Sequence, residues 1–174
     1  MLVPLLVGAW VTLIVATAAH VNRLTEGEAQ PGYFDLFFSD TIHLKVWIAS
    51  AVILLALFQA FTAAWIFGKL PWSRPAWLGT AHRWSGRTAF VLSLPVAYHC
   101  VFVLGFQQTS ARTLAHSLLG CFFYGAFAAK VIVVRSHRLP GWTLPLAGGL
   151  LFAGLIALWL TSALWFFRTV DVGL

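Results

Sequence analysis

Five stretches of roughly twenty predominantly apolar residues, at about 2–21, 44–67, 88–106, 113–134 and 142–167, occupy most of this 174-residue chain and leave it one class of fold. Each is long enough to cross the hydrocarbon core of a bilayer as a helix. Backbone donors and acceptors at that depth must be satisfied within the segment, which helices do. The reading is an all-α integral membrane bundle of five transmembrane helices, a single transmembrane domain over residues 1–174. With 60% of its residues apolar and 9% charged, the chain cannot build a water-soluble surface. The longest connection, between the first and second helices, has no room for a flavin, nucleotide or iron–sulfur domain, so any soluble redox partner is a separate chain.

The formal net charge is +6, but the cations sit at helix ends rather than in one stripe, which argues against nucleic acid as a partner. Lys69, Arg74, Arg83, Arg87, Lys130, Arg135 and Arg138 flank one side, while Arg23, Lys45, Arg112 and Arg168 flank the other together with all five acids. The positive-inside rule makes the first side cytoplasmic. The expectation is a multi-pass plasma-membrane protein with its amino terminus in the cytoplasm and its carboxyl terminus outside. Ala16, Thr17 and Ala18 imitate a signal-peptide cleavage site, yet no Lys or Arg precedes the apolar run, so the first segment reads as a retained helix. Cleavage within residues 1–18 would leave four helices in the same orientation.

The outer connection carries Glu26, Glu28, Asp35 and Asp40 and an aromatic patch of Tyr33, Phe34, Phe37 and Phe38. It reads as an interfacial anchor, with a docking surface for a cationic protein as the other reading. The inner connection, Gly68 to Ala81, is a tight turn at the membrane edge, and Thr80 is a candidate N-cap for a third helix starting near His82. Pro95 should bend that helix one turn before His99. Gly149, Ala153 and Ala157 recur every fourth residue and read as a helix-packing stripe.

Chemistry within the membrane rests on the histidines. His99 and His116 lie inside apolar runs on either side of one short turn, at similar depth near the outer face. Ionisable side chains are costly there and mark pathways or sites, and two imidazoles suit the iron of a haem b. His43, at the outer mouth of the second helix, competes with His99 to partner His116, because a bundle of sequential neighbours sets helices two and four diagonally across a haem-sized gap. Gly120, one turn deeper than His116, would let a flat ring lie against the backbone, and Arg112, one turn shallower, is placed to bind a propionate. His82 and His137 bracket the same hairpin on the inner side and carry the lesser expectation of a second haem; His20 is a reserve ligand. The competing reading of each histidine is a hydrogen bond to a carbonyl or hydroxyl across a helix interface. Cys100 and Cys121 lack the C-x-x-C-H pattern of covalent haem and read as small packing residues at depths too different for a disulfide. Hydrolytic triads, phosphate loops and zinc motifs are absent from the sequence.

The segment His82-Arg-Trp-Ser-Gly-Arg87, followed by an apolar helix carrying His99, resembles the H-R-W-x-G-R opening of a haem helix in ferric-reductase-like and cytochrome b561-like membrane proteins. Across one of the five helices, the resemblance implies histidine ligation of haem b and electron exchange with quinol, ascorbate, metal ions or a soluble redox protein. Through Leu139-Pro-Gly-Trp142 and Trp159-Leu-Thr-Ser-Ala-Leu-Trp165 the whole chain also resembles a small family of actinobacterial membrane proteins to which no activity is attached. The leading expectation is thus a b-type cytochrome. One bis-histidine haem near the outer face, held by two of His43, His99 and His116, passes single electrons to a separate redox protein or quinol, either alone or as the membrane subunit of an oxidoreductase. The alternative is a haem-free scaffold or anchor subunit of a larger membrane complex. A transporter is the third reading, weakened by the lack of an intramembrane acid.

Overall fold

The computed structural model describes residues 2–24, 32–136 and 138–169. They form α1 (Leu2–Leu24), α2 (Thr41–Ile66), α3 (Leu78–Tyr98), which continues as a π-helical turn (His99–Val103), α4 (Ala111–Arg135), α5 (Thr143–Thr161) and α6 (Ala163–Thr169). Five units are long and apolar enough to cross a membrane: α1, α2, α3 with its π turn, α4, and α5 with α6. No strand occurs among the described residues. Large apolar side chains such as Trp10, Leu54, Leu118 and Leu150 face outward, a surface suited to lipid and not to water. The chain is a multi-pass membrane protein.

The helix ends follow local chemistry. Asp40 caps α2 by accepting from the His43 backbone N–H at 2.8 Å, and Ser110 caps α4 in a reciprocal box with Thr113. The third helix begins earlier than its apolar run, because the turn closed by Leu78 N–H and Pro75 O (3.2 Å) nucleates it; Thr80 therefore lies inside the helix and is not its cap. Ser162, at φ −122° and ψ −82°, interrupts the fifth span between α5 and α6.

The order of packing departs from the sequential arrangement. α1 packs on α4, α4 on α5, α5 on α2 and α2 on α3, and the π turn closes the ring against α1. Helices α2 and α4 lie across from each other, as expected, but so do α3 and α4 despite the short link between them. Two close approaches explain this. Gly105, at φ +65°, turns the α3–α4 link over the end of α1, where Phe106 N–H reaches Ala19 O at 2.9 Å; a Cβ on Gly105 would stand 2.8 Å from the Arg23 nitrogen. Deeper in the bundle α1 and α4 touch backbone to backbone, since a Cβ on Gly8 would lie 3.0 Å from Gly125 O. Such small-residue contacts hold helices together where lipid removes the hydrophobic drive.

α3 and α4 meet across the ring through side chains. Phe90 stacks on Phe127 with centroids 4.3 Å apart, and the Tyr124 hydroxyl lies 3.2 Å from Ser93 Oγ. The Gly149–Ala153–Ala157 stripe does not pack as expected: nothing lies within 4 Å of a Cβ on Gly149, Ala153 is exposed, and α5 buries Leu151 and Gly154 instead. A helix inside a small ring has two neighbours, so only one of its several small-residue faces can be covered. Glu26, Glu28, His137 and Asp171 lie outside the described residues.

The α1–α4 contact gives a sharp expectation. A side chain at Gly125 would run into Thr12 Oγ1 and Gly8 O, so Gly125→Val should destabilise the detergent-solubilised protein by about 1–3 kcal/mol. Gly148→Ala, where nothing lies within 4 Å, should leave the melting temperature unchanged or slightly raised. Thermal unfolding of the two variants side by side checks both.

Candidate functional site

The ring encloses a cavity of about 320 Å³ in the half that holds the α3–α4 link, continuous with a deeper compartment of about 100 Å³. The size is that of a small-molecule site. On α3 and its π turn, Ser93, Val96, Cys100 and Leu104 recur at helical spacing on the cavity side. On α4, Arg112, His116 and Gly120 do the same, with Tyr124 below them. The stripe that the sequence singled out beside His116 therefore lines one space.

His116 is held by α5. Its Nδ1 lies 2.9 Å from Thr161 Oγ1, and that hydroxyl donates its own proton to Ala157 O at 2.8 Å. In the tautomer that leaves this hydroxyl bonded to Ala157 O, Thr161 Oγ1 accepts from the ring, Nδ1 carries the proton, and Nε2 keeps its lone pair. A hydrogen bond to the far ring nitrogen orients metal-binding histidines in the same way. Arg112 donates to Thr161 O at 2.6 Å, satisfying a carbonyl beside the Ser162 break, and its guanidinium lies 3.9 Å over the Trp165 ring.

His99 is placed differently. Its side chain is fully buried yet faces away from the cavity, because position 99 belongs to the helix face beside the one carrying 93, 96, 100 and 104. Its Nδ1 donates to Pro95 O at 2.8 Å, and its Nε2 accepts the Phe34 N–H at 3.3 Å. Phe34 packs on the ring at 4.3 Å and Tyr33 stacks at 6.1 Å. Both nitrogens are occupied, and His99 fastens the outer loop to the end of α3. His43 also lies off the cavity, with Nδ1 2.7 Å from Asp40 Oδ2 and its ring against Phe166. Of the three candidate axial histidines, only His116 lines the cavity.

His82, near the start of α3, repeats the arrangement of His116. Its Nδ1 is 2.8 Å from Thr62 Oγ1, a fully buried hydroxyl that donates to Phe58 O at 2.8 Å. Gln59 bridges the same helix pair by donating to Ser85 Oγ at 2.6 Å and to His82 O. His20 is exposed at the outer end of α1. Cys100 and Cys121 are free thiols that both line the cavity. No group of three or more His, Cys, Asp or Glu side chains close enough to hold a metal ion occurs among the described residues.

Sequence reasoning missed Thr161, Lys45 and Cys100. The signal for Cys100 was its register with Ser93 and Val96, whereas Thr161 has none, since its role depends on how α5 is rotated against α4.

A five-helix membrane bundle with one oriented histidine on the wall of an apolar cavity is thus the class of protein that fold and site define. The chain belongs to the family of unknown function DUF6529, whose model matches residues 1–174. No curated protein and no solved structure matches it.

Two expectations follow from these histidines. Replacing His99 by Ala leaves the half-buried Phe34 N–H without its acceptor, a cost of about 1 kcal/mol, and should raise hydrogen exchange across residues 32–38 while leaving α4 and α5 protected. At the start of α2, hydrogen bonds from the His43 backbone and ring hold the Asp40 carboxyl below the usual carboxylate range. A lowered pKa contributes stability that is present above the ordinary carboxylate value and is lost as pH falls through the lowered one. Exchange at residues 41–44 should therefore rise only in strong acid, and Asp40→Asn, which keeps an acceptor, should abolish that dependence.

Proposed function

We propose that the protein holds one haem b in the outer cavity, with His116 as an axial ligand, and passes single electrons between that haem and a separate redox protein or quinol. The observation that carries this reading is the His116 ring, aimed by Thr161 so that a lone-pair nitrogen is available on the wall of an apolar cavity. The residues fit the group in three respects. An imidazole is the common ligand of haem iron, Gly120 leaves the wall below it without a side chain, and Arg112 stands one turn above with guanidinium donors beyond the one given to Thr161 O. When bound, haem b supplies a one-electron couple. The chain's own part is to orient the imidazole, exclude water with apolar walls and set the polarity around the ring. In this reading the cavity opens at the outer face of the plasma membrane, which the positive-inside charge ordering of the sequence supports.

This reading uses one histidine in the cavity rather than two, since His99 and His43 are engaged by Pro95, Phe34 and Asp40. The resemblance of residues 82–87 to ferric-reductase-like and cytochrome b561-like proteins supports the cofactor class. A second reading, a haem-free scaffold of a larger membrane complex, is favoured by the saturation of His99, which has the satisfied bonding of a structural residue.

A reduced-minus-oxidised absorption spectrum of the detergent-purified protein, with haem quantified per chain, separates the two. A Soret band that shifts on reduction, at about one haem per chain, is expected, and His116→Ala should lower haem content at least tenfold. A protein without bands, or a variant with unchanged bands, overturns the assignment.

A further inference from the structure

The cavity's charge is unbalanced. Lys45 of α2 and Arg112 of α4 both line it, while the described acids, Asp35 and Asp40, do not. Asp40 is turned to His43. Arg112 keeps one bond to Thr161 O and its contact with Trp165. The Lys45 ammonium has no hydrogen-bond or ion-pair partner among the described residues, yet stands within electrostatic reach of both Cys100 and His116. A lysine one turn inside a membrane helix ordinarily snorkels to the interface along lipid. Lys45 instead faces the interior of the bundle, half-buried beside Val46 and Ala49. Two cations at one end of an apolar space, with no carboxylate between them, lack the counter-charge that partly buried ions need.

We propose that Lys45 and Arg112 form a binding site for the anionic head group of an amphiphile whose apolar body fills the cavity. The head group is a carboxylate or a phosphate. Arg112 offers its planar fork, and Lys45 a mobile point charge from the facing helix, so that an oxyanion is held between α2 and α4. The proposal goes beyond the haem reading and does not depend on it. The two propionates of a haem meet the requirement, and so does the phosphate of a membrane lipid, the same chemistry from another source. Neutral quinones and zwitterionic head groups without a net charge do not.

The test is a titration of the full chain, purified in an uncharged detergent, with three probes: haemin, a monoacylglycerol phosphate, and the uncharged monoacylglycerol of the same chain length. The wild type should bind at least one of the two anionic probes and bind the uncharged one at least tenfold more weakly than the phosphate. Lys45→Met, which keeps the length and leaves the Arg112–Thr161 bond in place, should weaken the anionic probes at least tenfold, and Lys45→Arg should restore them. Rising salt should weaken binding in the wild type more than in Lys45→Met. Binding of the phosphate but not of haemin defeats the haem reading and leaves this site standing. Haemin binding that Lys45→Met does not change overturns the site and leaves the haem reading standing. Equal binding of the charged and uncharged lipids, with no effect of Lys45→Met, also overturns it.

Discussion

The arrangement of the bundle depends on how closely α1 approaches α4. Gly8 and Gly125 bring two helix backbones nearly into contact, and the Gly105 turn lays the α3–α4 link across the end of α1. With α4 committed to α1 on one side and to α5 on the other, it cannot also pack along α3. The gap between those two helices is filled below by Phe90, Phe127 and Tyr124 and left open above. The cavity is therefore a result of which helix faces are small enough to touch, and not of any residue that lines it. In lipid, where apolar side chains gain little by leaving the solvent, this kind of steric choice decides topology.

Much of the fold was legible because hydrophobic length is a direct readout of bilayer thickness. Five runs became five spans, and the Arg112–His116–Gly120 stripe, read at helical spacing, does line one space. Depth was also inferred from residue count, but depth and direction are separate quantities. His99 shares the outer half of the bundle with His116 and still points elsewhere, because one residue along a helix is about 100° around it. Cys100, the next residue, faces the cavity in its place. Neighbour order was legible only in the α2–α4 diagonal, since the glycine contacts that set the rest involve residues more than eighty positions apart.

The histidines divide by what holds their Nδ1. In His99 a main-chain carbonyl of its own helix does so, and the remaining nitrogen is spent on a loop N–H. In His82 and His116 a threonine of a neighbouring helix does so, with its own proton returned to a carbonyl four residues back. The first arrangement fastens a loop; the second leaves a nitrogen available. A sequence shows the histidine in each case but not the hydroxyl that determines its chemistry, because that hydroxyl comes from another part of the chain.

The interruption at Ser162 has a mechanical consequence. A continuous helix is a stiff rod held by successive i to i−4 bonds, and a push at one end arrives at the other; a rod cut near its outer end transmits little. Because α6 is joined to α5 through a non-helical residue, Trp165 and Phe166 on the cavity wall are not carried by the continuous hydrogen-bond ladder of α5. A change of contents at that end of the bundle can be taken up at Ser162, away from the Thr62–His82 pair at the opposite end.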